Sequence, residues 1–378
     1  MALLPLSPKA QSVIGALILL SVVNTSCSFL IAGSPCRKDH RIPRWLLHSK
    51  KDPNENNRDG TPNIVASSPS NITIHTDVAS FVGVRPFIVV RGQHPLLKKA
   101  SMFTWKTRRT MLRVLHSRDP LRPQNSCINL ECLWYKALVT NDKRSPLYDD
   151  GLTADMLPRF SRLVVRRPFL RLYPRLVHGR LEVRSAYLDQ AILKEIDGVR
   201  SENITQKIRL VYIGAGYDTR SVKLLSRGIV DECFDLDLPD VMTMKGRLFD
   251  SRLRQRRPEL RDEDLPTLVG VNLNDIDGFC EKLGAIVAAE DGASWHTIFI
   301  AEGVLMYLKE GNARQVLKAC AEATESASLC FADRLDNVTD VNGAECQEEL
   351  AQASWKLVDW APTPSMNARH IGTARLML

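Results

Sequence analysis

The 378-residue sequence has no apolar run long enough to cross a membrane and no cysteine pattern typical of a metal site. No window reaches the roughly 18 to 20 consecutive apolar residues that a bilayer span needs. The nine cysteines are scattered without a C-x-x-C pair, so their spacing matches neither a zinc ribbon nor a redox motif. Glycine and proline, at 20 residues each, are near background usage, which excludes a collagen-like chain. We therefore predict no stable membrane span after processing and no bound metal.

Positive charge is concentrated in one segment rather than spread along the chain. The formal net charge is +8 at pH 7, from 51 Lys and Arg against 43 Asp and Glu. Residues 85–122 hold ten basic residues and one acidic residue, so the rest of the chain is close to neutral. A domain that binds nucleic acid would carry a basic patch of its own. We therefore predict that nucleic acid is not a partner.

The first 28 residues have the pattern of a secretory signal peptide. Ser12–Val23 is an apolar run of about a dozen residues, the length of a signal-peptide core, and the small residues 26–28 follow it. A buried N-terminal helix is the alternative for this run. Phe29 after small residues, followed by a basic extension, resembles the bipartite presequence of algae with complex plastids. We expect import into a plastid, with secretion to the extracellular space as the alternative.

Composition divides the remaining chain into two parts. Residues 52–70 are rich in Asn, Pro, Ser and Asp and poor in apolar residues, a composition typical of disorder. We predict a signal peptide at residues 1–28, a basic and largely disordered transit or linker region at 29–126, and a folded domain at 127–378.

A buried strand followed by a glycine turn begins the functional part of the folded domain. The run from Ile208 to Ile213 is rich in β-branched residues and predicts a parallel strand. Gly214 and Gly216 then interrupt it before a helical pattern, which places backbone N–H groups where they can hold an anionic group. A dinucleotide fingerprint needs a third glycine, and that position is Thr219. This departure disfavours NAD or FAD.

Polar residues follow several further predicted strands. Residues 230–240 include a short strand that ends in Asp235 and Asp237, where an acid can accept hydrogen bonds from both hydroxyls of a ribose. Two more strands are predicted at 268–273 and 297–307. Strands alternating with helical stretches predict an α/β fold with a parallel sheet. Four residues are then expected at one edge of the sheet: Gly214, Asp237, Asn272 and Glu302.

Four motifs, in this order, resemble the leucine carboxyl methyltransferase family of S-adenosylmethionine-dependent enzymes: IGAGYDTR, FDLDLPDVMTMK, VGVNLND and FIAEGVLMYL. The resemblance extends to residues 147–157 and 182–193 and to the C-terminal DWAPTPSMNARHIGTARL. It implies a class I Rossmann-like fold, with a mostly parallel seven-stranded sheet, helices on both faces and an N-terminal helical lid. S-adenosylmethionine is the implied cofactor.

The resemblance also implies which residues bind this cofactor. Gly214 would contact it directly, Asp237 would bind the ribose, and Glu302 would lie near the methionine moiety. An arginine before the glycine turn would meet the methionine carboxylate, and both Arg184 and Arg175 fit that description. Asn272 and Leu273 replace the family's Asp-Leu pair at the adenine, where an Asn carbonyl can still accept from the amino group. The full set of expected cofactor-binding residues is Arg184, Gly214, Gly216, Asp218, Asp235, Asp237, Asn272, Leu273 and Glu302.

These features predict an O-methyltransferase that acts on a carboxylate of a small molecule or a protein, by in-line displacement. A carboxylate is ionised at neutral pH and needs no base to accept a methyl group. We therefore assign no catalytic residue. His370 is the one candidate base, and Arg369 is a candidate for orienting anionic groups. The alternative is a non-catalytic member of the family that binds the cofactor or a protein partner.

Overall fold

The structure, a computed structural model, describes residues 73–74, 127–141, 150–165, 178–288, 294–339, 341–361 and 370–377. All of them fall in one of the two units into which the chain divides, Ser67–Arg171 with Arg175–Leu378. Apart from residues 73–74, the predicted signal peptide and basic region lie outside the described residues, and their boundaries stay predictions. No helix in the described ranges is long and apolar enough to cross a membrane.

The described part of the chain is built around one eight-stranded sheet. Its strands are β1 (Thr73–Ile74), β2 (Lys207–Ile213), β3 (Glu232–Asp237), β4 (Thr267–Gly270), β5 (Trp295–Glu302), β6 (Ala327–Asp333), β7 (Trp355–Trp360) and β8 (His370–Leu376). They lie in the order β1-β7-β8-β6-β5-β2-β3-β4. β8 runs antiparallel to β6 and β7, and every other pair is parallel. The predicted mostly parallel seven-stranded sheet is confirmed as β2–β8, and β1 adds a two-residue strand at the edge.

Four helices lie between β1 and β2, and the others lie between the later strands. The α-helices are α1 (Cys127–Asn141), α2 (Thr153–Met156), α3 (Arg159–Val165), α4 (His178–Glu202), α5 (Arg220–Leu225), α6 (Pro239–Leu248), α7 (Arg254–Arg256), α8 (Ile276–Val287), α9 (Asn312–Glu322) and α10 (Gly343–Ala351). A π-helical turn at Phe249–Leu253 joins α6 to α7, and 3₁₀ turns lie at Asp262–Asp264 and Leu305–Tyr307.

Strand β2 is apolar almost throughout because helices cover both of its faces. Successive side chains of a strand point to opposite faces, so Val211 and Ile213 pack on one face and Leu210 and Tyr212 on the other. The first face is covered by α8, α9 and α10, and the second by α4 and α5. A parallel strand covered on both faces loses the alternation of apolar and polar residues. The prediction of helices on both faces is confirmed.

The fourth predicted strand is shorter than its apolar run. The sequence predicts a strand over 297–307, whereas the structure has Trp295–Glu302 followed by the 3₁₀ turn Leu305–Tyr307. Gly303, at φ +67°, ends the ladder because that left-handed conformation does not fit a strand. The buried carboxylate of Asp333 then accepts three backbone N–H groups of the turn, at 2.6, 2.8 and 3.2 Å. Asp333 therefore fixes the segment that follows Glu302.

Candidate functional site

A cavity of about 400 Å³ opens at the carboxyl ends of β2, β3 and β5. The order of strands reverses between β2 and β5, and open α/β sheets bind ligands at such a point. Asp235 does not line this cavity. The other predicted cofactor residues do: Arg184, Gly214, Gly216, Asp218, Asp237, Asn272, Leu273 and Glu302.

The turn after β2 requires glycine at two positions. Gly214 and Gly216 have φ values of +68° and +49°, in the left-handed region that favours glycine. A Cβ on Gly214 would collide with the side chain of Val304, and one on Gly216 would lie 3.1 Å from the amide oxygen of Asn129. The turn can therefore bring its backbone close to the cavity without a side chain in between.

Asp237 lies at the end of β3, opposite this turn. Its Oδ2 accepts from the N–H of Gly216 at 2.8 Å, and its Oδ1 accepts from the N–H of Leu238 at 2.7 Å. Burial raises the pKa of Asp237 above its ordinary value, although the two N–H groups act in the opposite direction. A carboxylate offers about four lone-pair positions. Asp237 therefore keeps acceptor capacity for hydroxyl groups in the cavity.

Asp235, two residues earlier, is buried within the protein and does not face the cavity. Its side chain is completely buried and receives hydrogen bonds from Ser221 Oγ at 2.5 Å and Lys245 Nζ at 2.7 Å. Helices α5 and α6, which carry these two partners, cover it. The structure thus does not bring Asp235 to the cavity, because it lies about 6 to 7 Å further back along the strand than Asp237.

Asn272 and Leu273 line the cavity just beyond β4. Asn272 is exposed, and its Oδ1 accepts from the backbone N–H of Asn274 at 3.1 Å, while Leu273 is buried. An amide oxygen has two lone pairs, so one acceptor position of Asn272 remains. This pair offers an apolar surface beside a hydrogen-bonding group, and its adenine role stays a prediction.

Glu302 is surrounded by donors. Its Oε1 accepts from Arg184 Nε at 2.8 Å and from Ser185 Oγ at 3.3 Å. Its Oε2 faces three further donors: Tyr212 Oη (2.7 Å), Arg220 Nη1 (3.1 Å) and Lys136 Nζ (3.3 Å). Burial would raise the pKa of Glu302, but the surrounding cations outweigh it and hold the pKa well below its ordinary value. Its lone pairs are used inside the protein, so Glu302 acts by orienting its neighbours.

Asp218 is the second carboxylate of this region. It accepts from Lys136 Nζ, from Tyr212 Oη at 2.9 Å, and from Arg220 Nη1 at 3.2 Å and backbone N–H at 2.7 Å. Burial would raise the pKa of Asp218, but Arg220 and then Lys136 lower it below its ordinary value. Together these residues form what we call the ion cluster: Lys136, Arg184, Asp218, Arg220 and Glu302.

The ion cluster holds three cations and two carboxylates, and a third carboxylate, Asp189, pairs with Arg220 from outside it at 2.6 Å. Burial would lower the pKa of Lys136, but Asp218 and Glu302 outweigh it and hold the pKa above its ordinary value, so the ammonium stays charged. Lys136 and Arg184 both line the cavity, whereas Arg220 does not. A guanidinium carries five N–H donors, and Glu302 accepts from the Nε of Arg184, so the terminal N–H groups of Arg184 can serve a ligand. This end of the cavity can therefore bind an anionic group, such as a carboxylate.

Sequence reasoning missed three members of this region: Lys136, Tyr212 and Arg220. Lys136 lies in α1 and pairs with Asp218, 82 residues later. Arg220 hydrogen-bonds to Glu302, which also lies 82 residues later in the chain. One signal was present, since Lys136 is a single lysine within the apolar run Leu133–Val139. A lysine there must find a buried partner or reach solvent.

His370 lies away from the cavity. It is buried on β8, its Nδ1 accepts from the N–H of Leu335 at 2.9 Å, and its ring lies 5.9 Å from that of Trp360. The described residues that line the cavity include no histidine. Arg175 and Arg369 are outside the described residues, so Arg184 is the predicted arginine that the structure places at the cavity. Within the described ranges there is also no group of His, Cys, Asp and Glu that could hold a metal ion.

Three solved methyltransferases resemble the chain loosely. Magnesium protoporphyrin IX methyltransferase from Synechocystis PCC 6803 is 12% identical, with a TM-score of 0.36 over 71% of this chain and 96% of the other. An S-adenosylmethionine-dependent methyltransferase from Clostridium acetobutylicum ATCC 824 is 10% identical, with a TM-score of 0.35 over 56% and 98%. An O-methyltransferase from neocarzinostatin biosynthesis is 15% identical, with a TM-score of 0.30 over 55% and 61%. The strand order, rather than these superpositions, defines the fold.

No curated protein matches the chain. The sequence does match the model of a known family. The model of the leucine carboxyl methyltransferase family matches residues 132–321, which is half of the sequence and includes most of α1, the glycine turn, Asp237 and Glu302. The chain therefore belongs to the leucine carboxyl methyltransferase family, and its cofactor is S-adenosylmethionine.

Proposed function

We propose that this chain transfers a methyl group to an oxygen atom and that the acceptor oxygen belongs to a carboxylate. The observation that carries the proposal is that the described residues lining the cavity include no histidine, although they hold two cations, Lys136 and Arg184, and four carboxylates, Asp218, Asp237, Asp240 and Glu302. A hydroxyl or amine acceptor normally needs a base to remove its proton, whereas a carboxylate is already ionised at neutral pH. A cavity without a histidine base suits an acceptor that is already ionised.

The donor groups of the cavity fit S-adenosylmethionine at both of its ends. Asp237 supplies a carboxylate with free acceptor capacity, which suits a ribose diol. The ion cluster supplies Lys136 and Arg184, which suit the carboxylate of the methionine moiety. Gly214 and Gly216 leave the backbone between these two ends uncovered, at positions that a Cβ would fill. We propose that Asn272 and Leu273 hold the adenine.

In this proposal the cofactor supplies the reactive group and the protein supplies binding and orientation. When bound, the cofactor supplies an electrophilic methyl group on a sulfonium. The protein has to hold the acceptor in line with that group and exclude competing water, because correct orientation alone removes a large part of the barrier. Within this scheme Arg184 and Lys136 bind and orient, and no described residue of the cavity has to remove a proton.

A histidine variant tests this positioning mechanism. We expect His370→Asn to lower turnover far less than the factor of about 100 to 10,000 that follows loss of a general base. Asparagine is chosen because its amide oxygen can still accept from the backbone of Leu335. The measurement is kcat with saturating cofactor, after a check of folding by thermal unfolding. A hundredfold drop in a folded variant would indicate a base and a hydroxyl acceptor instead.

Product chemistry identifies the acceptor atom. The full chain is incubated with methyl-labelled S-adenosylmethionine and an extract of the source cells, and the labelled products are treated with mild alkali. Methyl esters hydrolyse under these conditions and release volatile labelled methanol, whereas methyl ethers and methylamines do not. We expect most of the label to be released, and we expect Asp237→Ala to incorporate much less label than the wild type at a cofactor concentration near the wild-type Kd.

Two other results would contradict the proposal. Label that resists alkali would mean that the acceptor is a hydroxyl or an amine. Cofactor binding without any incorporation, in every fraction of the extract, would favour the non-catalytic alternative.

A further inference from the structure

The hydroxyl of Tyr212 lies between the two carboxylates of the ion cluster. Tyr212 is on β2, is 2% exposed and reaches the floor of the cavity. Its Oη is 2.7 Å from Glu302 Oε2 and 2.9 Å from Asp218 Oδ2, and it accepts from Arg220 Nη1 at 2.8 Å. The same two carboxylate oxygens also face Lys136. Tyr212 is therefore an uncharged bridge at the centre of a charged network.

A single proton is shared between two acceptors at this bridge. A phenol carries one hydrogen, so its donation is divided between Glu302 and Asp218. Burial, with both carboxylates nearby, raises the pKa of Tyr212 well above its ordinary value, so the hydroxyl keeps its proton at neutral pH. Two carboxylate oxygens this close repel each other unless donors lie between them. The hydroxyl is one such donor and holds their separation.

The position of Glu302 in turn determines that of Arg184. One oxygen of Glu302 faces Tyr212, and the other accepts from Arg184 Nε at 2.8 Å. A carboxylate is rigid and planar, so rotation at one oxygen moves the other. Loss of the bond from Tyr212, the shortest at this oxygen, would leave it to Arg220 and Lys136 and so loosen the guanidinium on the cavity side.

We propose that Tyr212 is a positioning residue for the amino-acid end of the cofactor. Its hydroxyl holds Asp218 and Glu302 in the arrangement that directs Lys136 and Arg184 into the cavity. The inference rests on the cofactor placement proposed above and is independent of the methyl acceptor. Tyrosine suits the task because the phenol ring is packed by the core while the hydroxyl alone reaches the charges. Phenylalanine keeps the ring and removes only that hydroxyl.

Two nucleoside ligands distinguish a positioning role of Tyr212 from general damage to the fold, because only one of them carries the amino-acid end. S-adenosylhomocysteine carries the amino-acid end, and 5′-methylthioadenosine keeps the adenine, ribose and sulfur without it. We expect Tyr212→Phe to lower the affinity of the full chain for S-adenosylhomocysteine about tenfold, which is less than loss of a direct charge-assisted hydrogen bond would cost, because the hydroxyl acts through Arg184 and Lys136. Its affinity for 5′-methylthioadenosine should stay within about twofold, because that ligand does not reach the ion cluster. Both are measured by calorimetry.

Tyr187→Phe is the matched control. Tyr187 is also fully buried, on α4, and its hydroxyl lies 3.4 Å from Thr373 Oγ1, outside the cavity lining. We expect this variant to bind both ligands as the wild type does. Equal loss of both ligands in Tyr212→Phe, or no loss of either, would overturn the proposal.

A second variant separates this inference from the cofactor placement beneath it. Arg184→Gln should weaken binding of S-adenosylhomocysteine and leave 5′-methylthioadenosine unaffected. If Arg184→Gln has no effect, the placement of the carboxylate is wrong and the role of Tyr212 is overturned with it. If Arg184→Gln weakens binding and Tyr212→Phe does not, only the positioning role is overturned. Neither result bears on whether the acceptor is a carboxylate.

Discussion

Replacement of Asp237 by alanine is expected to lower the affinity for S-adenosylmethionine at least tenfold while the fold survives. With the proposed cofactor placement, the variant loses two charge-assisted hydrogen bonds to the ribose, each worth about 1.5 to 3 kcal/mol. It also leaves the N–H groups of Gly216 and Leu238 without their present acceptor, which loosens the turn beside the cavity. The measurement is calorimetric titration of the full chain with the cofactor, together with a thermal unfolding curve for each protein.

Two further variants make this result specific. Asp240 lines the same cavity three residues later and is exposed, so Asp240→Ala removes a carboxylate of the rim without touching the end of β3. We expect its affinity to stay within about threefold of the wild type, as is usual for surface substitutions. Asp237→Asn keeps one acceptor oxygen and should give an intermediate affinity. Binding by Asp237→Ala that equals the wild type would sink the ribose assignment.

Removal of the Glu302 carboxylate is expected to have the largest effect on stability. Glu302→Ala leaves Lys136, Arg184 and Arg220 with Asp218 as the one remaining carboxylate of the ion cluster. Breaking a buried ion pair by removing one partner costs about 3 to 5 kcal/mol, because the remaining charge is uncompensated. The free energy of unfolding in denaturant should fall by about that amount. Affinity for the cofactor should fall as well, since Arg184 loses the acceptor of its Nε.

Glu349 supplies the matched control for this second experiment. It is also a buried glutamate, bound by Arg314 at 2.9 and 2.5 Å, but it lies on α10, outside the cavity lining. Glu349→Ala should lose stability and keep its affinity for the cofactor. Should Glu302→Ala fail to fold, Glu302→Gln keeps the volume and one acceptor. Normal stability and normal binding in Glu302→Gln would contradict the role given to the ion cluster.

The parts of the site that were predictable are those at strand ends. Each lies next to a local pattern, an apolar run that stops at Gly214, at Asp237 or at Glu302. Parallel strands bring their carboxyl ends to the same edge of the sheet, so residues far apart in sequence could be placed together from local patterns alone. The family resemblance then supplied the cofactor, and the matched segment confirms the family.

The parts that were missed depend on depth and on long-range contacts. Asp235 and Asp237 are equivalent in the sequence pattern, and what separates them is the cover that Ser221 and Lys245 place over the first. Lys136 reaches the site from a helix that precedes β2, and no periodicity relates it to Glu302, 166 residues later. The apolar run continues beyond Glu302 and so predicted a longer strand. The pattern of apolar residues does not reveal that Gly303 adopts a left-handed conformation, which ends the strand.

A structure of the full chain in complex with S-adenosylhomocysteine tests the central claim most directly. The predicted result is a ligand that lies across the carboxyl ends of β2, β3 and β5, with its ribose hydroxyls at hydrogen-bonding distance from Asp237. Its carboxylate should lie beside Lys136 and Arg184. A ligand bound in the opposite direction, with the ribose at the ion cluster, or one bound outside this cavity, would contradict the account.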